Sequence, residues 1–250
     1  MEHVFTTLMN KYFGEAALLL LHALHLSPAN PQAPIPSFVV MEILVVLLII
    51  GFLLVARTRL SVEQPGALQI GVESLRGFIS NMAGETVGNG SEQFVPYLMA
   101  LGMFILLCNL LGLIPGFDSP TALPAVPLGL ALMTWFYYHC YGVRAHGPIG
   151  YLKQFIGPQE GLPWALRLSL PFLLFPIEIF SQLARIVSLT VRLYANMFAG
   201  EMVTLVFFSL VPLAVPLIFM GLHLGVALIQ TYIFVLLTTI YLAGAVAEEA

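Results

Sequence analysis

Arg192 and Glu201 lie nine residues apart in a helix-length apolar run, and the polar residues around them are the ones suited to carrying an ion. Arginine stays protonated under any cellular condition, so it cannot enter an apolar medium by giving up its charge. Holding it at mid-membrane costs about 3 kcal/mol on insertion scales. A charge kept at that cost marks an ion pathway or a counter-charge. Its one-turn neighbours Ser188, Leu189, Ala195 and Asn196 include no carboxylate. The negative partner must therefore come from another helix or another chain. The same run carries Glu178, Ser181, Gln182, Arg185, Ser188, Arg192 and Asn196, spaced along one helical stripe. Glu201 falls roughly 13 Å beyond Arg192 along the axis, and Glu178 roughly 20 Å before it. In the next run His223 and Gln230 are seven apart and share a face.

A tight turn at Val211 and Pro212 folds these runs into a hairpin, with Arg192 opposite Gln230 and Glu201 opposite His223. The result is a central fixed cation with titratable groups on either side at different depths. A single intramembrane Glu or His can be hydrogen-bonding glue between helices. Two arginines, two glutamates, a histidine, an asparagine and two glutamines in one hairpin favour the functional reading. Arg185 has an alternative role, pairing with a neighbour near the membrane interface. Asn109 is a candidate hydrogen-bond partner of the hairpin.

These residues need a membrane to hold them, and the composition supplies one. The chain has 250 residues, of which 59% are hydrophobic and 9% charged, and its mean hydropathy is +0.95. Soluble domains carry about 25% charged residues. The length suits one membrane domain, residues 1–250. Cys108 and Cys140 sit in apolar segments with no metal-ligand spacing and read as packing residues. HExxH, GxSxG, Walker and GxGxxG motifs are all missing, so the chain carries no catalytic signature.

The expected architecture is all-α and polytopic, with about five membrane helices. Residues 1–36 form an outer N-terminal segment. It reads as interfacial rather than as a signal peptide, because Glu2 and Glu15 fit a basic leader poorly. Its His22 and His25 read as surface residues. Residues 38–56 form span 1. Residues 67–82 form an amphipathic surface helix, with Leu68, Val72, Leu75, Ile79 and Met82 on one side and Gln69, Glu73, Arg76 and Ser80 on the other. Residues 94–114 form span 2, closed by Pro115. Residues 123–141 form span 3, ending in the aromatic cluster Trp135, Phe136, Tyr137 and Tyr138, suited to an interfacial anchor. Residues 165–210 and 212–247 form the hairpin. Each arm is on the order of 50 Å long, against a hydrocarbon core of ~30 Å, so the hairpin must tilt strongly. Arg57, Arg59, Arg76, Arg144, Lys153 and Arg167 all fall in loops of one side. The positive-inside rule makes that side cytoplasmic, with the N-terminus outside and the C-terminus inside.

The string Ser188-Leu-Thr-Val-Arg-Leu-Tyr-Ala-Asn-Met-Phe-Ala-Gly-Glu201 closely resembles the signature of subunit a of F-type ATP synthases. Residues 94–116, ending Asn109-Leu-Leu-Gly-Leu-Ile-Pro-Gly116, and residues 230–249, with Thr239-Ile-Tyr-Leu242, agree with it in the same order. Residues 1–35 carry no match. The resemblance implies the static half of a membrane motor in a bacterial plasma (inner) membrane. Its partners would be a ring of c subunits bearing membrane-buried carboxylates, peripheral-stalk b subunits, other ATP synthase subunits and the lipid bilayer. No cofactor, metal or nucleic acid is implied, and catalysis would lie on other subunits. The family's essential arginine matches Arg192. Its outer-path residues match Glu201, His223, Asn196 and Gln230, and its inner-side carboxylate matches Glu178. Arg185, Ser188 and Asn109 are secondary candidates. Some members carry an acid three positions after the residue matching Asn109, where this chain has Gly112. The implied mechanism has protons reach the rotor through an outer path and leave it through an inner one, with Arg192 between. The alternative is a proton-coupled secondary transporter, which needs internal repeats that this sequence does not show. A structural scaffold is the third class.

Overall fold

A computed structural model describes residues 2–23, 33–59, 61, 66–114, 116–154, 164–210 and 214–247, with the side chains of 2, 3, 20, 153, 154, 164–170 and 214 left aside. His25, Pro115, Pro212, Glu248 and Glu249, and the side chains of Lys153 and Arg167, lie outside the described residues. Within these bounds the chain forms seven α-helices: α1 (Glu2–Ala23), α2 (Ser37–Thr58), α3 (Ala67–Val87), α4 (Val95–Leu111), α5 (Ala125–Gln154), α6 (Trp164–Leu210) and α7 (Ala214–Val246). Two short 3₁₀ turns, Ser91–Gln93 and Pro120–Ala122, lead into α4 and α5.

Three stretches are long and apolar enough to cross a membrane: Ser37–Thr58, Pro171–Leu210 and Val215–Val246. Helix α4 is apolar but only 17 residues long, about 25 Å at the standard rise. It was expected to reach residue 114 and stops at Leu111, because the chain turns at Gly112 to make room for groups from α6. Helix α5 overruns its expected end at 141. It continues to Gln154 across a break at Gly147, whose φ of +72° a residue with a side chain rarely adopts. Helix α6 is longer than its unbroken apolar part suggests. At 47 residues it passes through Pro171 and Pro176 and spans about 70 Å.

The long hairpin arms pack on each other; α5 packs against both and α4 against α7. Leu101, Ile105, Ala131, Leu189, Leu193, Met197, Ala227 and Phe234 form the shared core. Lipid is as apolar as these side chains, so close packing and interhelical hydrogen bonds must hold them together, each bond worth about 0.6–2 kcal/mol. Tyr97 and Thr134 supply one such bond between α4 and α5, at 3.2 Å. The hydroxyls of Thr231, Thr238 and Thr239 instead donate to carbonyls one turn back in α7, which lets them sit buried without an external partner.

The amphipathic stretch is helix α3. Ile79 and Met82 are buried against α4 and α7, and Phe78 approaches the Tyr232 ring at 5.9 Å. Its polar side forms its own network. Gln69 donates to Glu73 at 2.8 Å, Ser80 donates to Glu92 at 2.6 Å, and Arg76 lies 3.8 Å from Glu92. The N-terminal segment is more structured than its short apolar part implies. Asn10 of α1 clasps the backbone of Ile35, accepting from its N–H at 2.9 Å and donating to its carbonyl at 3.0 Å. His22 is exposed, as expected of a surface residue.

Two readings fail. Cys108 is buried, but Cys140 is exposed, so it is not a packing residue among the described residues. Tyr138, read as part of an interfacial anchor, is 2% exposed and points into the bundle.

Candidate functional site

Among the cavities along α6, two lie toward opposite ends of its polar stripe, with Arg192 between them. The first lies at the turn end of the hairpin. It holds about 300 Å³ and is lined by Gly112, Asp118, Glu201, Thr204, Met220 and His223 among others. Glu201 reaches across from α6 and accepts the backbone N–H of Ser119 at 2.7 Å. Ser119 is buried in a polar cluster. Its hydroxyl donates to the Cys108 carbonyl at 3.0 Å and lies 2.6 Å from Thr121, which donates to Asn109 Oδ1 at 2.6 Å. Among the described residues, hydrogen bonds link Asn109 to Glu201 of the hairpin through the 119–121 loop.

Gly112 explains why this chain departs from the acidic pattern at that position. A Cβ there would lie 2.8 Å from both Glu201 Oε1 and Ser119 Cβ. The carboxylate delivered by α6 occupies the space that a side chain at 112 would need. Gly112→Ala should break the Glu201–Ser119 hydrogen bond and lower the thermal unfolding midpoint of the purified protein by about 2–4 °C. An unchanged midpoint would show that the bond contributes nothing to holding Glu201.

His223 is 3% exposed, lines the same cavity and rests on the bare backbone of Gly200. A Cβ at 200 would meet the imidazole ring at 2.9–3.0 Å. One turn further down the hairpin, Asn196 Nδ2 donates to Gln230 Oε1 at 2.8 Å. Both contacts fit the expected register with a shift. Gln230 is met by Asn196, one turn along α6 from Arg192, rather than by Arg192 itself. Glu201 and His223 share a cavity without a hydrogen bond between them; the carboxylate turns to Ser119 instead. The Nε2 of His223 and the Nε2 of Gln230 are buried and have no hydrogen-bond partner among the described residues. Such groups demand water or a partner chain.

Arg192 is half-buried and has neither ion pair nor hydrogen bond among the described residues. Ser188, Ala195, Asn196 and Ala199 beside it are exposed. The cation thus borders an open face floored by small residues, as expected if its counter-charge comes from another chain.

The second cavity, about 200 Å³, lies at the other end, where α5 and α7 finish. Glu178, Gln182 and Arg185 line it with Tyr138 and Tyr151. Gln182 donates to Glu178 at 2.9 Å and accepts from the Tyr138 hydroxyl at 2.6 Å. Arg185 stands 4.9 Å over the Tyr241 ring, a cation–π contact rather than the ion pair considered from sequence. Ser188 is exposed between the cavities. Ser119, Thr121 and Tyr138 are additions that sequence reasoning missed. The first two lay in what read as a plain loop. The third was masked by the aromatic run around it.

Residues 39–243 match the family model described as ATP synthase A chain. The chain is 53% identical over 244 residues to the ATP synthase subunit a of Koribacter versatilis, covering 98% of this chain and 96% of that one. It is 46% identical over 220 residues to the ATP synthase subunit a of Solibacter usitatus, with 88% and 91% covered. With the Geobacter sp. protein of the same name the identity is 39% over 225 residues, covering 90% and 92%. With matches of this length and identity, the chain belongs to the ATP synthase subunit a family.

Proposed function

We propose that the chain is the stator of a proton-driven rotary motor, providing two proton half-paths separated by Arg192. One observation carries the reading: two cavities open toward opposite ends of α6, one holding Glu201 and His223 and the other Glu178 and Gln182, and between them lies Arg192, which has no ion pair among the described residues. From Glu178 to Glu201 is 23 residues, or about 35 Å along the axis, so neither cavity reaches the other.

A proton enters the outer cavity, passes the Glu201–His223 region and the Asn196–Gln230 pair, and protonates a carboxylate of a c-subunit ring. The neutral rotor group turns through lipid. It returns to the inner cavity, where Glu178 accepts the proton. Arg192 favours the ionised rotor group beside it and blocks direct passage between the paths. Each proton crossing at 100 mV contributes ~2.3 kcal/mol, so several must be combined for one ATP. The exposed Ala195 and Ala199 let a rotor helix approach closely. ATP chemistry lies on other subunits, and the peripheral-stalk b subunits anchor this one.

The orientation follows from charge. Arg144 lies near the end of α7, as does the Glu178 cavity; by the positive-inside rule this supports a cytoplasmic C-terminus and an outer N-terminus in a bacterial inner membrane. Helices of about 70 Å and 50 Å exceed the bilayer core, so the hairpin lies steeply inclined. Passive proton flux through vesicles holding this chain with a c-ring tests the whole. Flux that needs both components supports a stator. Flux through this chain alone, coupled to a solute, would favour a secondary transporter instead.

A further inference from the structure

Asp118 is the only charged residue between Glu92 and Arg144 in the sequence. It stands on the loop that leaves α4, just past the turn at Gly116, whose φ of +94° favours a glycine. Its side chain is exposed, whereas Ser119, next in the chain, is 1% exposed. The N–H that Glu201 accepts at 2.7 Å belongs to the peptide bond joining these two residues. The loop thus presents one carboxylate to solvent and holds a second at its own backbone.

Two cavities share this pair. Asp118 and Glu201 both line the cavity of His223. They also line a further cavity of about 270 Å³, walled by Ser37, Phe38 and Met41 of α2, which His223 does not line. Only Asp118, Glu201 and Leu205 are common to the two. Ser37 and Phe38 open α2, at the end of that helix which the charge pattern places outside. Beyond Glu201, the buried Nε2 of His223 has no partner among the described residues and calls for water. A chain of groups therefore runs from an exposed carboxylate, through Glu201, to a buried imidazole. The path described above gives Asp118 and the α2-side cavity no part.

We propose that Asp118 collects protons at the mouth of the outer path and hands them through the α2-side cavity to Glu201. This rests on reading the Glu201–His223 cavity as the outer path. The ionised Asp118 takes a proton from outer water, cavity water carries it to the Glu201 carboxylate, and Asp118 returns to its ionised form. An exposed carboxylate at the mouth of a cleft draws cations, protons included, toward it. The test uses the complete ATP synthase in proteoliposomes, with ATP synthesis driven by an imposed proton gradient in dilute buffer. Asp118→Asn keeps the side-chain shape and the Ser119 N–H, and removes only the titrating group. It should slow synthesis about tenfold, less than the roughly 100-fold that a group transferring a proton in a transition state supplies. Asp118→Glu should stay near the unaltered rate. The membrane-impermeant buffer Mes, raised on the side the outer path faces, should restore synthesis in Asp118→Asn, because a mobile carrier replaces the missing collector. Mes on the opposite side should not. Normal synthesis by Asp118→Asn in dilute buffer overturns the proposal. So does a loss that outer-side Mes leaves unchanged, which would mark a structural role. Glu201→Leu, measured alongside, separates the two levels. If it slows synthesis while Asp118→Asn does not, only the collector fails. If it too leaves synthesis unchanged, the reading of the outer path fails.

Discussion

Replacing Arg192 by Ala is expected to abolish proton-coupled ATP synthesis while the protein still inserts and assembles. Among the described residues the guanidinium has no ion pair or hydrogen bond, as the proposed role toward a group brought from outside requires. A cation about 4 Å from a carboxylate favours the ionised form by about 4 kcal/mol at an effective dielectric of 20, or about three pKa units. On the proposed mechanism, rotor carboxylates without it would pass the stator still protonated and deliver nothing to the inner path. The same loss removes the barrier between the paths. Arg192→Lys should fail as well, because a desolvated ammonium can give up its proton and lacks the planar fork. Near-normal synthesis in inverted vesicles with either change would refute the role.

Glu201 and His223 should behave as one unit, with Glu201→Leu slowing outer proton uptake strongly and Glu201→Asp mildly. Both line one cavity, and His223 rests against Gly200, the residue beside Glu201. Two groups in one path are not additive, so combining Glu201→Leu with His223→Ala should add little to the first change. Glu201→Cys with His223→Cys should be joined by a short thiol cross-linker. Additive losses and no cross-link would mean that the two side chains work separately.

Most of this arrangement was legible because charge is rare in an apolar chain. Glu178, Arg192, Glu201 and His223 declare themselves against a hydrophobic background, and helical spacing gives their faces. The hairpin register was legible to within one turn, since Gly200 packs on His223 and Asn196 meets Gln230. Partners on the backbone were not legible. The N–H of Ser119 that holds Glu201 has no sequence signature. Nor does spacing along one helix reveal that Tyr138 meets Gln182 across two helices. The break in α5 could have been suspected from Gly147-Pro148, but that the segment beyond it turns Tyr151 back onto Gly142 depends on tertiary packing. The role of Gly112 is likewise clear only once the Glu201 carboxylate is seen beside it.

The central claim is that two water-accessible paths end on either side of Arg192 without meeting. Single cysteines at 201, 223, 178 and 182, labelled in the assembled complex by a membrane-impermeant thiol reagent added to one side at a time, test it most directly. Positions 201 and 223 are expected to react only from the outer side, and 178 and 182 only from the cytoplasm. Labelling of both pairs from the same side, or of either pair from both sides, would contradict the account.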